Sequence, residues 1–226
     1  MYLITCEHGG NEVPTAFARL FRGHRRLLAT HRGYDAGALE LARAFSRRLD
    51  APLVYSTTTR LLVDLNRSPG HRRLFSEFTR DLDSAAKAAI LAAHYTPYRQ
   101  RVEALVAEAV GRGDQVLHLS VHSFTPALDG EVRNADIGLL YDPARRGERP
   151  FCHRWRSSLT TLRPGLRVRC NYPYRGVSDG LVTSLRRRFR PNRYLGIELE
   201  VNQLWPLGDP QAWCGLQETL LMAVPG

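Results

Sequence analysis

The chain has 226 residues, four cysteines, eight histidines and a formal net charge of +10. At roughly 150 residues per domain this suits one larger domain with enough apolar material for its own core, and 43% hydrophobic with 24% charged content is ordinary for a globular protein. Of the 32 basic residues 31 are Arg and one, Lys87, is Lys, which excludes a Lys-rich basic tail and leaves codon bias, a nucleic-acid surface or an anion-recognising site.

The first ten residues lack the basic region and long apolar run of a signal peptide. The longest stretch free of Asp, Glu, Lys and Arg, residues 115–128, carries His118 and His122 and is shorter than the roughly 20 apolar residues a membrane span needs. Cys6, Cys152, Cys170 and Cys214 form no C-x-x-C pair, so reduced thiols and a cytoplasmic location are expected.

Tyr2–Cys6 reads as a short buried strand that ends at Glu7-His8-Gly9-Gly10, where glycines allow a sharp turn. Ala38, Leu41, Ala42, Phe45 and Leu49 recur at helical spacing, predicting a helix over 36–49 with Asp35 at the N-cap position. Pro52–Ser56 reads as a strand, and Arg60–Asp64 as a further extended piece before the Asn66–Gly70 loop. A long helical stretch runs from Asp83 to about Val110, with a break near Pro97. Residues 115–122 alternate, with Leu117, Leu119 and Val121 on one face and His118, Ser120 and His122 on the other. Ile137–Tyr141 and Leu166–Cys170 read as strands. Tyr194–Val201 alternates again, with Gly196, Glu198 and Glu200 opposite Leu195, Ile197, Leu199 and Val201, and 210–222 closes the chain as a helix. Strands alternating with helices predict an α/β domain with a mixed, largely parallel sheet and helices on both faces.

Ligands of such sheets bind beyond the carboxyl ends of strands. Three predicted strands end in reactive groups, His8, His122 and Glu200, and Asp35 opens a helix after a turn at Gly33. Two imidazoles and a carboxylate are a common catalytic zinc set; the competing reading is a turn histidine, His8, and a satisfied core histidine, His122. Glu198 and Glu200 share one face of an apolar strand, which reads either as a solvent-facing edge or as a general base facing a cleft with its pKa raised by burial. Asn66-Arg67 after an apolar segment suits the grip of a carboxylate, three donors in a fixed geometry, or else a structural Arg paired with Asp64. Tyr172-Pro173-Tyr174-Arg175-Gly176 is a glycine-punctuated loop able to bring a hydroxyl and a guanidinium over a site. The densest basic run, Arg186-Arg187-Arg188-Phe189-Arg190, comes with no nucleic-acid-binding motif. It reads as a solvated helix end, and nucleic-acid binding is the reading from another functional class.

Taken in order, Cys6 through Pro14, Arg32 through Ala38, Ser56 through Arg67, Val121-His122-Ser123, Tyr174-Arg175-Gly176 and Gly196 through Glu200 resemble the N-formylglutamate amidohydrolase family. The resemblance implies a three-layer α/β/α domain like that of zinc carboxypeptidases and aspartoacylases, spanning residues 1–226. It implies hydrolysis of a small anionic N-acyl amino acid such as N-formyl-L-glutamate. A different deacylase or a metallopeptidase on the same scaffold is the alternative. Carried onto this chain, it assigns His8, Asp35 and His122 to Zn2+ or another divalent transition metal, with Glu12 as the alternative carboxylate ligand. It assigns Glu200 as general base, Arg175 to the scissile carbonyl or a second carboxylate, and Asn66 and Arg67, with Arg60 and Tyr174, to the substrate.

Overall fold

The computed structural model describes residues 1–225. The elements in chain order are β1 (Tyr2–Cys6), a 3-10 segment over Thr15–Phe21, α1 (Arg25–Leu28), α2 (Ala38–Leu49), β2 (Leu53–Tyr55), α3 (Ser84–Ile90), α4 (Thr96–Gly111) and β3 (Val116–Phe124). The small hairpin β4 (Ala127–Leu128) and β5 (Glu131–Val132) comes next, then β6 (Ile137–Leu140), α5 (Glu148–Leu162), β7 (Val168–Cys170), α6 (Leu181–Arg188), β8 (Tyr194–Asn202) and α7 (Pro210–Ala223).

Six strands form one sheet in the order β2-β1-β3-β8-β6-β7. The first four are mutually parallel, while β6 runs antiparallel to β8 and parallel to β7. Helices cover both faces, the mixed three-layer α/β/α architecture expected from the sequence. Side chains alternate across each strand, so each strand feeds two cores. Ile4, Leu119, Val121, Ile197 and Leu199 pack with Phe45 of α2, Trp155 of α5 and Leu216 of α7. On the other face Leu3 packs with Ile90 of α3, Val102 and Val106 of α4, and Leu181 and Leu185 of α6.

The long helical stretch is interrupted as expected. Asp83 caps α3, its carboxylate accepting from the Ala86 N–H at 2.7 Å. A π segment over Leu91–Tyr95 then precedes α4, whose first turn holds Pro97. Proline has no N–H and crowds the carbonyl four residues back, and the wider turn takes up that mismatch.

Four expectations are corrected. Arg60–Asp64 is a turn, not a strand: Leu62 N–H donates to the Thr59 carbonyl, and the curl brings the Arg60 guanidinium to the Asp64 carboxylate at 2.8 Å. Asp35 does not cap α2; Gly37 holds that position at φ 76°, leaving the Asp35 side chain free for other partners. Residues Glu198 and Glu200 are on a central strand and almost fully buried, so the solvent-facing edge is ruled out. Finally, the basic run is not one solvated face. Arg187 and Arg188 are exposed, but Arg186 is buried. Its guanidinium donates to both Glu148 carboxylate oxygens, at 3.0 and 2.9 Å, and to the Gly196 carbonyl at 2.7 Å.

That pair ties α5 to α6 and to β8. Removing one partner leaves a fully buried Glu148 carboxylate without its cation. Arg186→Ala is therefore expected to destabilise the protein by about 3–5 kcal/mol. Arg187→Ala should shift it by less than about 0.5 kcal/mol. Urea denaturation of the two variants measures the difference.

Candidate active site

The site forms where β1, β3 and β8 end. In the parallel pairing of β3 with β8, Ser120 stands opposite Glu198 and His122 opposite Glu200. The chain turns out of the sheet just after Cys6, where Gly9 N–H bonds the Ser56 carbonyl. This turn brings both Glu7 and His8 to the same strand ends. The loop before α2 is fastened to it: Asp35 N–H donates to the His8 carbonyl at 2.9 Å, and Arg60 N–H to the Gly33 carbonyl at 3.1 Å.

One carboxylate oxygen gathers the centre. Asp35 Oδ2 lies 2.9 Å from His122 Nδ1 and 3.3 Å from His8 Nδ1. The three residues are buried, and each offers a ligand atom within 4.8 Å of the others. The opposite ring nitrogens are held as well. His8 Nε2 is 2.7 Å from Asp64 Oδ1, and His122 Nε2 is 2.9 Å from Glu7 Oε2. Glu7 in turn accepts from the Ser120 hydroxyl at 2.7 Å and the Tyr98 hydroxyl at 2.9 Å. Each histidine thus presents Nδ1 to the centre while a carboxylate orients its far side, the arrangement found around metal-ligating imidazoles.

Arg60 bridges two of the acids, donating to Asp35 Oδ1 at 3.2 Å and Asp64 Oδ2 at 2.8 Å. Burial would push Asp35 up, but the His8 charge, hydrogen bonds from His122 and His8, and Arg60 outweigh it and hold its carboxyl well below the usual range. Asp64 is held down in the same way by Arg60, His8 and Arg67. For Glu7 the counterweight to burial is His122, with hydrogen bonds from Ser120 and Thr5. Burial alone would lower His122, yet hydrogen bonds and charges from Asp35 and Glu7 raise it well above its ordinary range. Two guanidiniums face these carboxylates, Arg60 and, with its Nε 3.9 Å from Asp64 Oδ2, Arg67. The two-nitrogen, one-oxygen donor set of His8, His122 and Asp35 suits a divalent transition metal.

A cavity of about 300 Å³ opens on this centre. Its walls include Asn66, Arg67, Tyr174 and Arg175 along with His8, Asp35, His122 and Glu200, so the structure brings all the site residues expected from the sequence to one place. Their roles differ. Arg60 is committed to the two aspartates. Asn66 Oδ1 accepts from the Leu181 N–H at 2.7 Å, and its amide nitrogen sits 3.5 Å from His122 Nε2. Arg67 donates to the Asp179 carbonyl at 2.8 Å, and its buried Nε makes no hydrogen bond but lies 3.9 Å from Asp64 Oδ2, the pairing that the alternative reading of this Arg expects. The Tyr174 hydroxyl accepts from Arg133 at 2.9 Å. Arg175 is exposed, and the following Gly176 packs so tightly on the Tyr141 backbone that a Cβ would come within 2.3 Å of it. Glu12, the alternative ligand, is exposed and accepts from the Thr57 hydroxyl, outside the cluster.

Glu200 is the least satisfied group of the site. Its Oε2 is buried with no hydrogen-bond partner. Burial, reinforced by Asp35 and Glu198 and opposed by His122, pushes its pKa up to about 8. His118 by contrast is a satisfied core histidine. It sits between the Thr5 and Tyr194 hydroxyls at 2.8 and 2.7 Å, and burial lowers its pKa to about 4.

Two carboxylates that matter here, Glu7 and Asp64, went unread as orienting groups. The signal is present: Asp64 interrupts the apolar run Leu61-Leu62-Val63-Asp64-Leu65, and Glu7 adjoins a candidate ligand.

Residues 1–205 match the family model described as N-formylglutamate amidohydrolase. The crystal structure of a gene product from Agrobacterium tumefaciens, 28% identical, aligns with 98% of this chain and 89% of its own at a TM-score of 0.79. An N-formylglutamate amidohydrolase from Ralstonia eutropha JMP134, 20% identical, aligns with 99% of this chain and 90% of its own at a TM-score of 0.75, which speaks for a shared fold. No curated protein matches the chain. Among the described residues no helix is long and apolar enough to cross a membrane.

The raised Glu200 pKa has a consequence for stability. Between pH 4.5 and about 8 the folded carboxyl keeps a proton that the unfolded chain has released. The folded state then binds more protons, and stability falls as pH rises through that window. In metal-free protein Glu200→Gln is expected to remove this slope. It should stabilise by on the order of a few kcal/mol above pH 8 relative to pH 4, as read by denaturant titrations across pH.

Proposed function

The chain belongs to the N-formylglutamate amidohydrolase family, and from that premise we propose that it hydrolyses the amide of an N-formyl amino acid such as N-formyl-L-glutamate to the free amino acid and formate. The observation that carries this reading is the convergence of His8, Asp35 and His122 donor atoms within 4.8 Å, in a cavity that also holds the unpartnered Glu200 Oε2.

His8, Asp35 and His122 would hold a zinc or similar divalent ion. When bound, such an ion supplies Lewis acidity that lowers the pKa of water toward 7 and polarises an acyl oxygen. Arg67 and Asn66 bind the carboxylate of the amino-acid half, and so orient the amide for attack. Arg60 keeps Asp35 and Asp64 in place instead of binding substrate. Glu200 takes a proton from the water that attacks the acyl carbon, and it returns that proton to the amine nitrogen as the C–N bond breaks. A carboxyl poised near neutral pH suits both transfers. Arg175 supplies a guanidinium at the cavity wall for charge developing on the acyl oxygen, and Tyr174 closes the wall beside it.

The alternative, a peptidase on the same scaffold, is separated by substrate choice. Metal-loaded protein is expected to release formate from N-formyl-L-glutamate, with dipeptides cleaved far more slowly. Glu200→Gln should keep its metal and lose at least about 100-fold in kcat. Arg67→Ala should act mainly by raising KM. Cleavage of dipeptides alone would overturn the deformylase reading.

Metal content gives a test independent of turnover. Elemental analysis of purified protein is expected to find a transition metal that His122→Ala loses. Asp64→Asn should retain the site with about 10- to 100-fold weaker affinity, because the far nitrogen of His8 loses its orienting carboxylate. Undiminished metal binding by His122→Ala would remove it from the ligand set.

A further inference from the structure

A second, larger cleft of about 430 Å³ adjoins the first. The two share Asp35, Arg60, Arg73, Ser123, Leu128 and Tyr174, so both open on the same centre, and Arg72 lines only the second. The amino-acid half of the substrate, as read above, is bound by Asn66 and Arg67, which line only the first cavity. The acyl half therefore faces the second. A formyl group is one carbon and does not fill that cleft, which has room for a longer acyl group.

The second cleft has a distinct chemistry. Its acids are all engaged: Asp35 and Asp64 with Arg60, and Glu77 with Arg32. Arg72 and Arg73 also line it, and among the described residues neither has a carboxylate within 4.0 Å. Uncommitted guanidiniums over a cleft suit a planar anion. The remaining wall is mixed, with Ser76 and Thr125 beside Leu61, Phe75 and the edge of the buried Phe124. His31, at the rim, is lowered by burial and by the charges of Arg133, Arg32 and Arg60, which indicates a positive local field.

We propose that this second cleft is an acyl subsite for a dicarboxylic acyl group, with methylenes passing Phe75 and the distal carboxylate on Arg72, Arg73 standing at the junction of the two cavities. The preferred substrate is then an N-acyl amino acid bearing carboxylates on both sides of the amide. This rests on the hydrolase reading above and keeps its chemistry. Water oxygen bonds to the acyl carbon, the C–N bond breaks, the amine takes a proton, and a dicarboxylate and an amino acid are released.

Three probes of one amino acid test it on metal-loaded protein: N-formyl-, N-butyryl- and N-succinyl-L-glutamate. Kcat/KM for the succinyl compound is expected to exceed that for the butyryl compound, of equal chain length, by about tenfold or more, the size of one charge-assisted contact. Arg72→Ala should collapse that succinyl-to-butyryl ratio toward one, and Arg72→Lys should restore part of it. A succinyl-to-butyryl ratio near one in the wild type, or one unmoved by Arg72→Ala, overturns the subsite even if formyl-glutamate is turned over. Failure to cleave any of the three overturns the hydrolase reading, and the subsite with it.

Discussion

The Asp35 carboxylate is the point on which the site depends. It is buried, and a buried carboxylate persists as an anion only when partners replace its water. Here the partners come from three separate segments: His8 after β1, Arg60 in the turn after β2, and His122 on β3. The segments that carry His8, Arg60 and His122 are therefore fastened to the same carboxylate. Arg60 extends the fastening to Asp64, and Asp64 reaches back to His8.

The sheet supplies what this cluster needs. One face of β1, β3 and β8 carries a polar row: Thr5, His118, Ser120, His122, Glu198 and Glu200, all buried. Away from the strand ends this row is satisfied internally, as with His118 between two hydroxyls. Toward the ends satisfaction gives way to an oxygen with no partner, Glu200 Oε2. The transition from satisfied to unsatisfied polar groups marks where structure ends and chemistry begins, because a fold tolerates an unpaired buried group only where something else is to meet it.

The arginines divide into distinct roles by environment. Arg186 is a structural cation locked onto Glu148 between two helices and the central strand. Arg60 is an internal brace. Arg67 lines the cavity with its Nε 3.9 Å from Asp64, and Arg72 and Arg73 face the neighbouring cleft without acids of their own. A guanidinium serves each of these roles because its fork bonds two oxygens at once. The one Lys in the chain has no such duty among them.

The sequence by itself determined the elements with a local signature. Alternation along 115–122 and 194–201 specified two strands and their polar faces, helical spacing specified α2, and Pro97 specified a break. It also carried His8, Asp35, His122, Asn66, Arg67 and Arg175 as an ordered set. The tertiary structure decided which of these meet, since Asp35 is 27 residues from one histidine and 87 from the other. It decided that Asp35 serves the histidines instead of capping α2, that Glu12 stands aside, and that Arg186 is buried. It also recruited Glu7 and Asp64, which local pattern could not assign: strand alternation would send Glu7 and His8 to opposite faces, and only the turn after Cys6 brings them together. Periodicity is a property of neighbours along the chain. The partner of a buried charge is chosen by the fold, from whatever segments the sheet order sets side by side.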